Sequence, residues 1–263
     1  MYSTLHGIFA DKTGGTVFTC FSLWHFFYIF LTIGTIALVV WRFKNKEQCA
    51  KDLVLRIVAG IAFGLYMLDF FAMPLAYGEI DVDKLPFHAC TSMSILCFAS
   101  RNSKFLRKYR LHFAMLGMLS NLMYLCYPSG VMSYEIHPLS YRAVQTLLFH
   151  SALVVHGVLT LVLDDVKPSF KRSYRDAALL GIMTLWAIIG NAVYSGEVAE
   201  VGYKHDFNWF FVKADPFGIL SEEIALYLAP FLNFVAFFGL ELLICLGFSI
   251  IRKRQQKKEP AQS

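Results

Sequence analysis

The feature that most constrains this chain is where its 24 lysines and arginines fall relative to its apolar stretches. Seven apolar stretches can be drawn, at about 17–41, 54–77, 85–100, 111–127, 141–163, 177–195 and 221–251. The segments 42–56, 101–110, 164–176 and 252–258 carry nineteen of the basic residues, and the alternate segments carry only Lys12, Lys84, Arg142, Lys204 and Lys213. Positive charge accumulates in cytoplasmic loops, so this alternation fixes an orientation and tests the number of spans. It predicts an all-α, polytopic membrane protein, a seven-transmembrane-helix bundle with the N-terminus outside and the C-terminus in the cytoplasm. The expected organisation is an external lead at 1–16, one transmembrane domain at 17–251 and a basic tail at 252–263, in a multi-pass protein of the cell membrane.

Composition supports a membrane setting. Charged residues make up 16% of the chain and hydrophobic ones 57%, whereas soluble domains carry about 25% charged residues. The net charge of +5 does not imply a nucleic-acid partner, because the positive residues lie between apolar spans rather than on one folded face. The expected partners are membrane lipids and a lipid or small-molecule substrate. No pattern in the chain specifies an oligomeric state. The third and fourth stretches are short against the ~20 residues that cross a ~30 Å hydrocarbon core. Gly60 and Gly64, four apart in the second stretch, mark a place where a neighbouring helix could approach closely.

Polar residues inside apolar spans are costly and face partners or a cavity. By the predicted topology His25, Asp69, His88, Cys90, Asn121, His150, Asn191 and Glu222 fall in the outer half of the membrane, which predicts one polar pocket there. Gln145, one turn from the start of the fifth stretch, and Asn208, in the aromatic segment after the sixth, join it as supporting residues. Cys90 is the sharpest of them. Pro86 suits the first turn of a helix, placing His88 and Cys90 at a helix start where the dipole favours a thiolate. Residues two apart on a helix point about 200° apart, so the partner of Cys90 is expected on another helix. Metal-protease, phosphate-loop and serine-hydrolase motifs are missing from the sequence, and the six widely spaced cysteines suggest neither a disulfide framework nor a zinc site. No cofactor is called for.

The run Leu85-Pro86-Phe87-His88-Ala89-Cys90 resembles the "LPLHLC" signature of the YwaF-like integral membrane proteins. These form the bacterial branch of a family that includes a vertebrate transmembrane acyltransferase of ether phospholipids. Gln145 to His150 is similar to the family's "QxxxxH" in its fifth helix, and Asn208-Trp209-Phe210-Phe211-Val212-Lys213 through Pro216 to its "NYMYL...KP" segment. Thr91 and His156 depart from the pattern. The resemblance implies a Cys-His acyl-transfer site in a lipid acyltransferase or acyl hydrolase, with Cys90 as nucleophile and His150 as base. His88, Asn121 and Asn191 are its candidates for orienting the base or holding an oxyanion. The alternative is a small-molecule transporter or ligand-binding membrane protein whose pocket performs no catalysis.

Overall fold

The computed structural model describes residue 9 and residues 15–77, 82–132, 135–198, 203–205, 207–213 and 220–258. Most of the 1–16 lead, Tyr134, Glu200, Asp206, the stretch from Ala214 through Pro216 and the side chain of Glu222 lie outside the described residues. The architecture is helical: α1 Leu23–Phe43, α2 Gln48–Tyr77, α3 Ala89–Asn102, α4 Arg110–Cys126, α5 Tyr141–Leu163, α6 Ser173–Tyr194 and α7 Glu222–Lys258. A short antiparallel hairpin, β1 Gly196–Val198 with β2 Tyr203–His205, follows α6. The chain divides into two compact units, Met1–Pro86 with Cys90–Asp165, and Phe87–Ala89 with Val166–Ser263.

Among the described residues, five helical stretches are long and apolar enough to cross a bilayer: Leu23–Phe43, Gln48–Ala72, Tyr141–Leu163, Phe170–Tyr194 and Glu223–Gln256. Their large side chains face outward in a way no soluble surface sustains, as at Leu23 (88% exposed), Trp41 (71%) and Tyr227 (83%). Such contiguous apolar surface belongs in lipid. The stretches read as 85–100 and 111–127 become helices of 14 and 17 residues. At 1.5 Å per residue neither reaches ~30 Å. Twelve of the α4 residues are buried, so this helix is covered by protein.

The first unit is built around α5, of whose 23 residues 15 are buried, against three of 21 in α1. A helix apolar on all sides can satisfy every face only from inside a protein or a membrane, and α5 packs on α1, α2 and α4 together. Leu147 and Val154 join Phe18 and Tyr28; Val155, Leu159 and Leu163 join Leu55; Phe149 and Leu153 join Ala62 and Tyr66. Ser140 starts the helix by accepting the Ala143 N–H at 3.4 Å, and Ser22 starts α1 by accepting the His25 N–H at 3.3 Å, satisfying first-turn donors. The α3 helix joins α2 through stacked Phe98 and Phe63, with ring centroids 4.8 Å apart.

Close helix approach falls elsewhere than at Gly60 and Gly64. A Cβ at Gly64 would meet nothing within 4 Å, and one at Gly60 would only touch Phe98 at 3.9 Å. At Gly157 a Cβ would lie 2.3 Å from the Met118 Cβ and 2.7 Å from the Ala114 carbonyl oxygen. The absent side chain is therefore what lets α5 lie against α4.

In the second unit α6 packs on α7. Phe87 stacks between Trp186 and Trp209, each with its ring centroid at 4.8 Å. It lies so close to α6 that a Cβ at Gly190 would meet its ring at 2.4 Å.

Candidate functional site

Pro86 is not in the first turn of a helix, as its residue type suggested. It lies in a turn ahead of α3, which begins at Ala89. The hydroxyls of the first helical turn explain the displacement: Ser92 donates to the Pro86 carbonyl at 2.5 Å and Thr91 to the Leu85 carbonyl at 3.4 Å. These bonds fold Leu85–His88 back over the helix start. His88 thus precedes the helix, and Cys90 remains in its first turn. The Cys90 thiol is within reach of the backbone amides of Cys90 and Thr91 and feels the charges of Lys84 and Asp83. Its side chain packs on the cluster of Ala62, Tyr66, Phe149 and Leu153.

His150 follows Phe149 on α5. Its Nδ1 is 2.7 Å from the Thr146 carbonyl oxygen. A carbonyl only accepts, so Nδ1 carries the proton and the Nε2 of the neutral ring presents a lone pair. The ring stacks on Tyr124 of α4, with centroids 3.7 Å apart and planes 13° apart. Tyr124, which sequence reasoning missed, holds the imidazole plane. An aromatic residue among many in an apolar helix carries no distinguishing signal.

The other predicted residues of the first unit have polar partners of their own. His25 donates from Nε2 to the Leu125 carbonyl at 2.7 Å and accepts the Phe21 N–H on Nδ1 at 2.9 Å. Both ring nitrogens are committed, which makes His25 a tie between the start of α1 and the end of α4. Asn121, on the same face of α4 as Tyr124, donates to the Gly117 carbonyl at 2.6 Å, while its buried Oδ1 has no hydrogen-bond partner among the described residues. Gln145 donates to the Leu65 carbonyl of α2 at 3.0 Å. Asp69 has the partner its cost demands: Lys84 Nζ at 3.0 Å. The Lys84 carbonyl in turn accepts from the Tyr66 hydroxyl at 3.0 Å. Lys84, one residue before the Leu85–Cys90 motif, was legible only as a loop charge.

The remaining predicted residues, His88, Asn191 and Asn208, belong to the second unit. His88 meets Trp209 edge to face, with ring centroids 6.5 Å apart. Asn191 brackets Trp209, accepting its N–H at 3.0 Å and donating to its carbonyl at 3.2 Å. Asn208 accepts the Lys213 N–H at 2.9 Å. Asn233 donates to the carbonyls of Phe210 and Phe211, both at 2.9 Å. These amides hold Phe210 (φ 55°) and Phe211 (φ 51°) left-handed, a conformation that costs an L-residue about 1–2 kcal/mol. Asn191→Ala should destabilise this segment by about 2 kcal/mol, because it leaves both Trp209 backbone groups unpaired. Faster amide exchange at residues 207–213, with α1 to α5 unchanged, would register the loss.

A second polar constellation, which the sequence offered only as topology-setting charge, closes the other end of the first unit. Asp164, fully buried, pairs with Arg101 at 2.6 Å and Arg110 at 2.8 Å. Arg101 also donates to the Thr160 hydroxyl at 2.8 Å, and Arg110 reaches Asp165. The hydrogen bonds to Asp164 hold the Arg110 guanidinium even more firmly protonated than usual. Arg101 and Arg110, with Asp52, Arg56, Ser100 and Arg107, line a cleft. Two further titratable side chains, buried His156 on α5 and Glu241 on α7, make no hydrogen bonds among the described residues. No group of three or more His, Cys, Asp or Glu side chains there is arranged to hold a metal ion.

Spanning-length apolar helices and large apolar side chains turned outward define an integral membrane protein in contact with lipid. The chain belongs to the TMEM164 family, which it matches over residues 20–252. No curated protein and no solved structure matches it significantly.

Proposed function

We propose that the chain is a lipid acyltransferase or acyl hydrolase of the cell membrane, on the YwaF-like bacterial branch, with Cys90 as nucleophile and His150 as general base. In this reading α3 and α4 complete a seven-helix membrane domain at 17–251. The N-terminus lies outside and the basic tail at 252–263 in the cytoplasm, as the charge alternation requires. The observation that carries the catalytic reading is the state of His150: Nδ1–H is bound to the Thr146 carbonyl and the ring is clamped by Tyr124. With Nδ1 protonated, Nε2 is the basic nitrogen of the neutral ring.

The Cys90 side chain packs against the cluster that contains Phe149, the residue adjacent in sequence to that base. As Nε2 removes the thiol proton, sulfur attacks the ester carbonyl of a bound lipid. Amide N–H groups of the first α3 turn are suited to receive the negative oxygen. The C–O bond then breaks, the departing lipid oxygen takes the proton from the imidazolium, and the acyl group stays on sulfur as a thioester. A lipid hydroxyl or water, deprotonated by the same Nε2, attacks the thioester and restores the thiol. The apolar wall of Ala62, Tyr66 and Leu153 suits an acyl chain.

The test uses the full-length protein in micelles with a phospholipid bearing an isotopically labelled acyl chain. The expected result is a labelled thioester on the intact protein that Cys90→Ala abolishes. His150→Ala should slow label transfer by about 10²-fold or more, with part of the loss recovered at high pH, where more thiol ionises unaided. Label transfer at the parental rate in both variants would sink the catalytic reading in favour of a ligand-binding or transport protein.

A further inference from the structure

The cleft of Asp52, Arg56, Ser100, Arg101, Arg107 and Arg110 has no role in that chemistry, and its charges do not balance. Four guanidinium groups meet three carboxylates: Asp52 at 3.5 Å from Arg107, and Asp164 and Asp165, which Arg101 and Arg110 share. One positive charge is left over. Two observations locate it. The Arg101 side chain is only 5% exposed, yet its Nε has no hydrogen-bond partner among the described residues. A buried charged donor without an acceptor costs about 1–3 kcal/mol or more, so such groups are normally satisfied by something bound. Arg56, exposed at the mouth of the cleft, makes no ion pair or hydrogen bond among the described residues.

The cleft lies where helices end: beside the first turns of α2, the last residues of α3 and the segment leading into α4. All belong to the first unit, at its charged end, where lipid headgroups meet protein. We propose that this cleft is a binding site for a phosphodiester anion, the headgroup phosphate of a lipid with net negative charge. The planar forks of Arg56, Arg101 and Arg107 match phosphate oxygens as lysine would not. The space at the bottom of the cleft, about 20 Å³, holds one water-sized group. One non-bridging oxygen therefore enters to meet Arg101, and the exposed Arg56 and Arg107 close on the rest of the group. A single negative charge cancels the surplus. A zwitterionic headgroup would bring its own cation into a cleft already rich in arginine, which selects against it.

The experiment places the full-length protein in nanodiscs of phosphatidylcholine containing a minor fraction of phosphatidylglycerol, and counts the lipids that stay bound when it is released for native mass spectrometry. The expected result is one retained phosphatidylglycerol per chain, whose apparent affinity falls about tenfold in Arg56→Gln/Arg107→Gln. Both positions are exposed at the cleft mouth, and an unchanged gel-filtration profile shows that the variant folds. The comparison variant, Lys253→Gln/Arg254→Gln, removes the same charge from the tail and should bind as the parent does. A parallel arm titrates inorganic phosphate into discs of phosphatidylcholine alone. Retention lost in the cleft variant with phosphatidylglycerol assigns a lipid headgroup, and loss confined to inorganic phosphate assigns a free phosphate. Equal retention by parent and cleft variant, or an equal drop in both double variants, overturns the site in favour of diffuse surface charge.

Discussion

Gly157→Ala should be among the most damaging single-atom additions the chain can receive, destabilising the first unit by about 3 kcal/mol. The new methyl would sit 2.3 Å from the Met118 Cβ and 2.7 Å from the Ala114 carbonyl oxygen. Neither is the far end of a flexible side chain, so α5 and α4 must move apart. Because α5 contributes to each of the three clusters described in its unit, the displacement would also disturb the Tyr124–His150 stack. Thermal denaturation in micelles measures the loss, with Gly64→Ala as the comparison, since nothing lies within 4 Å of a Cβ there. Gly64→Ala should change stability by less than about 0.5 kcal/mol, within the usual range for an uncrowded site. Equal midpoints for the two variants would mean that α4 and α5 do not pack through Gly157.

The second large effect is expected at Asp164. Its carboxylate is fully buried and serves Arg101 and Arg110 together. Asp164→Ala leaves two mostly buried guanidinium groups facing each other, and breaking a buried pair from one side costs about 3–5 kcal/mol. Asp165 pairs with the same Arg110 from a side chain that is 60% exposed, so Asp165→Ala should cost less than about 1 kcal/mol. The two neighbours separate a buried ionic tie from a surface one by denaturation midpoint alone. A double variant, Arg101→Met/Asp164→Leu, should recover part of the loss by removing charges together.

The sequence resolved what depends on local chemistry and on charge counting. Apolar runs marked every helix, because a backbone without water must satisfy its own hydrogen bonds. Cys90 was expected in or just beyond a first helical turn, and it lies in the first turn of α3. The need for a partner at Asp69 was legible from the cost of an isolated carboxylate, though Lys84 as that partner was not. Pro86 misled because a residue that tolerates a helix start also tolerates the turn before one, and the Ser92 and Thr91 hydroxyls decided between them. The Gly60–Gly64 spacing misled for a similar reason: a small-residue motif allows close approach but does not supply the neighbouring helix.

By itself, the sequence determined that this is a helical membrane protein and roughly where its long helices run, because hydrophobic length and charge are properties of the chain. Only the tertiary structure decided that α5 is the axis of the first unit and that Gly157 is the point of closest approach. It also decided that His150 is held with Nε2 as its lone-pair nitrogen, and that arginines read as topology signals converge on Asp164 around a cleft. Each of these depends on which faces of separate helices meet, and that is fixed by packing volumes and hydrogen-bond partners from distant parts of the chain.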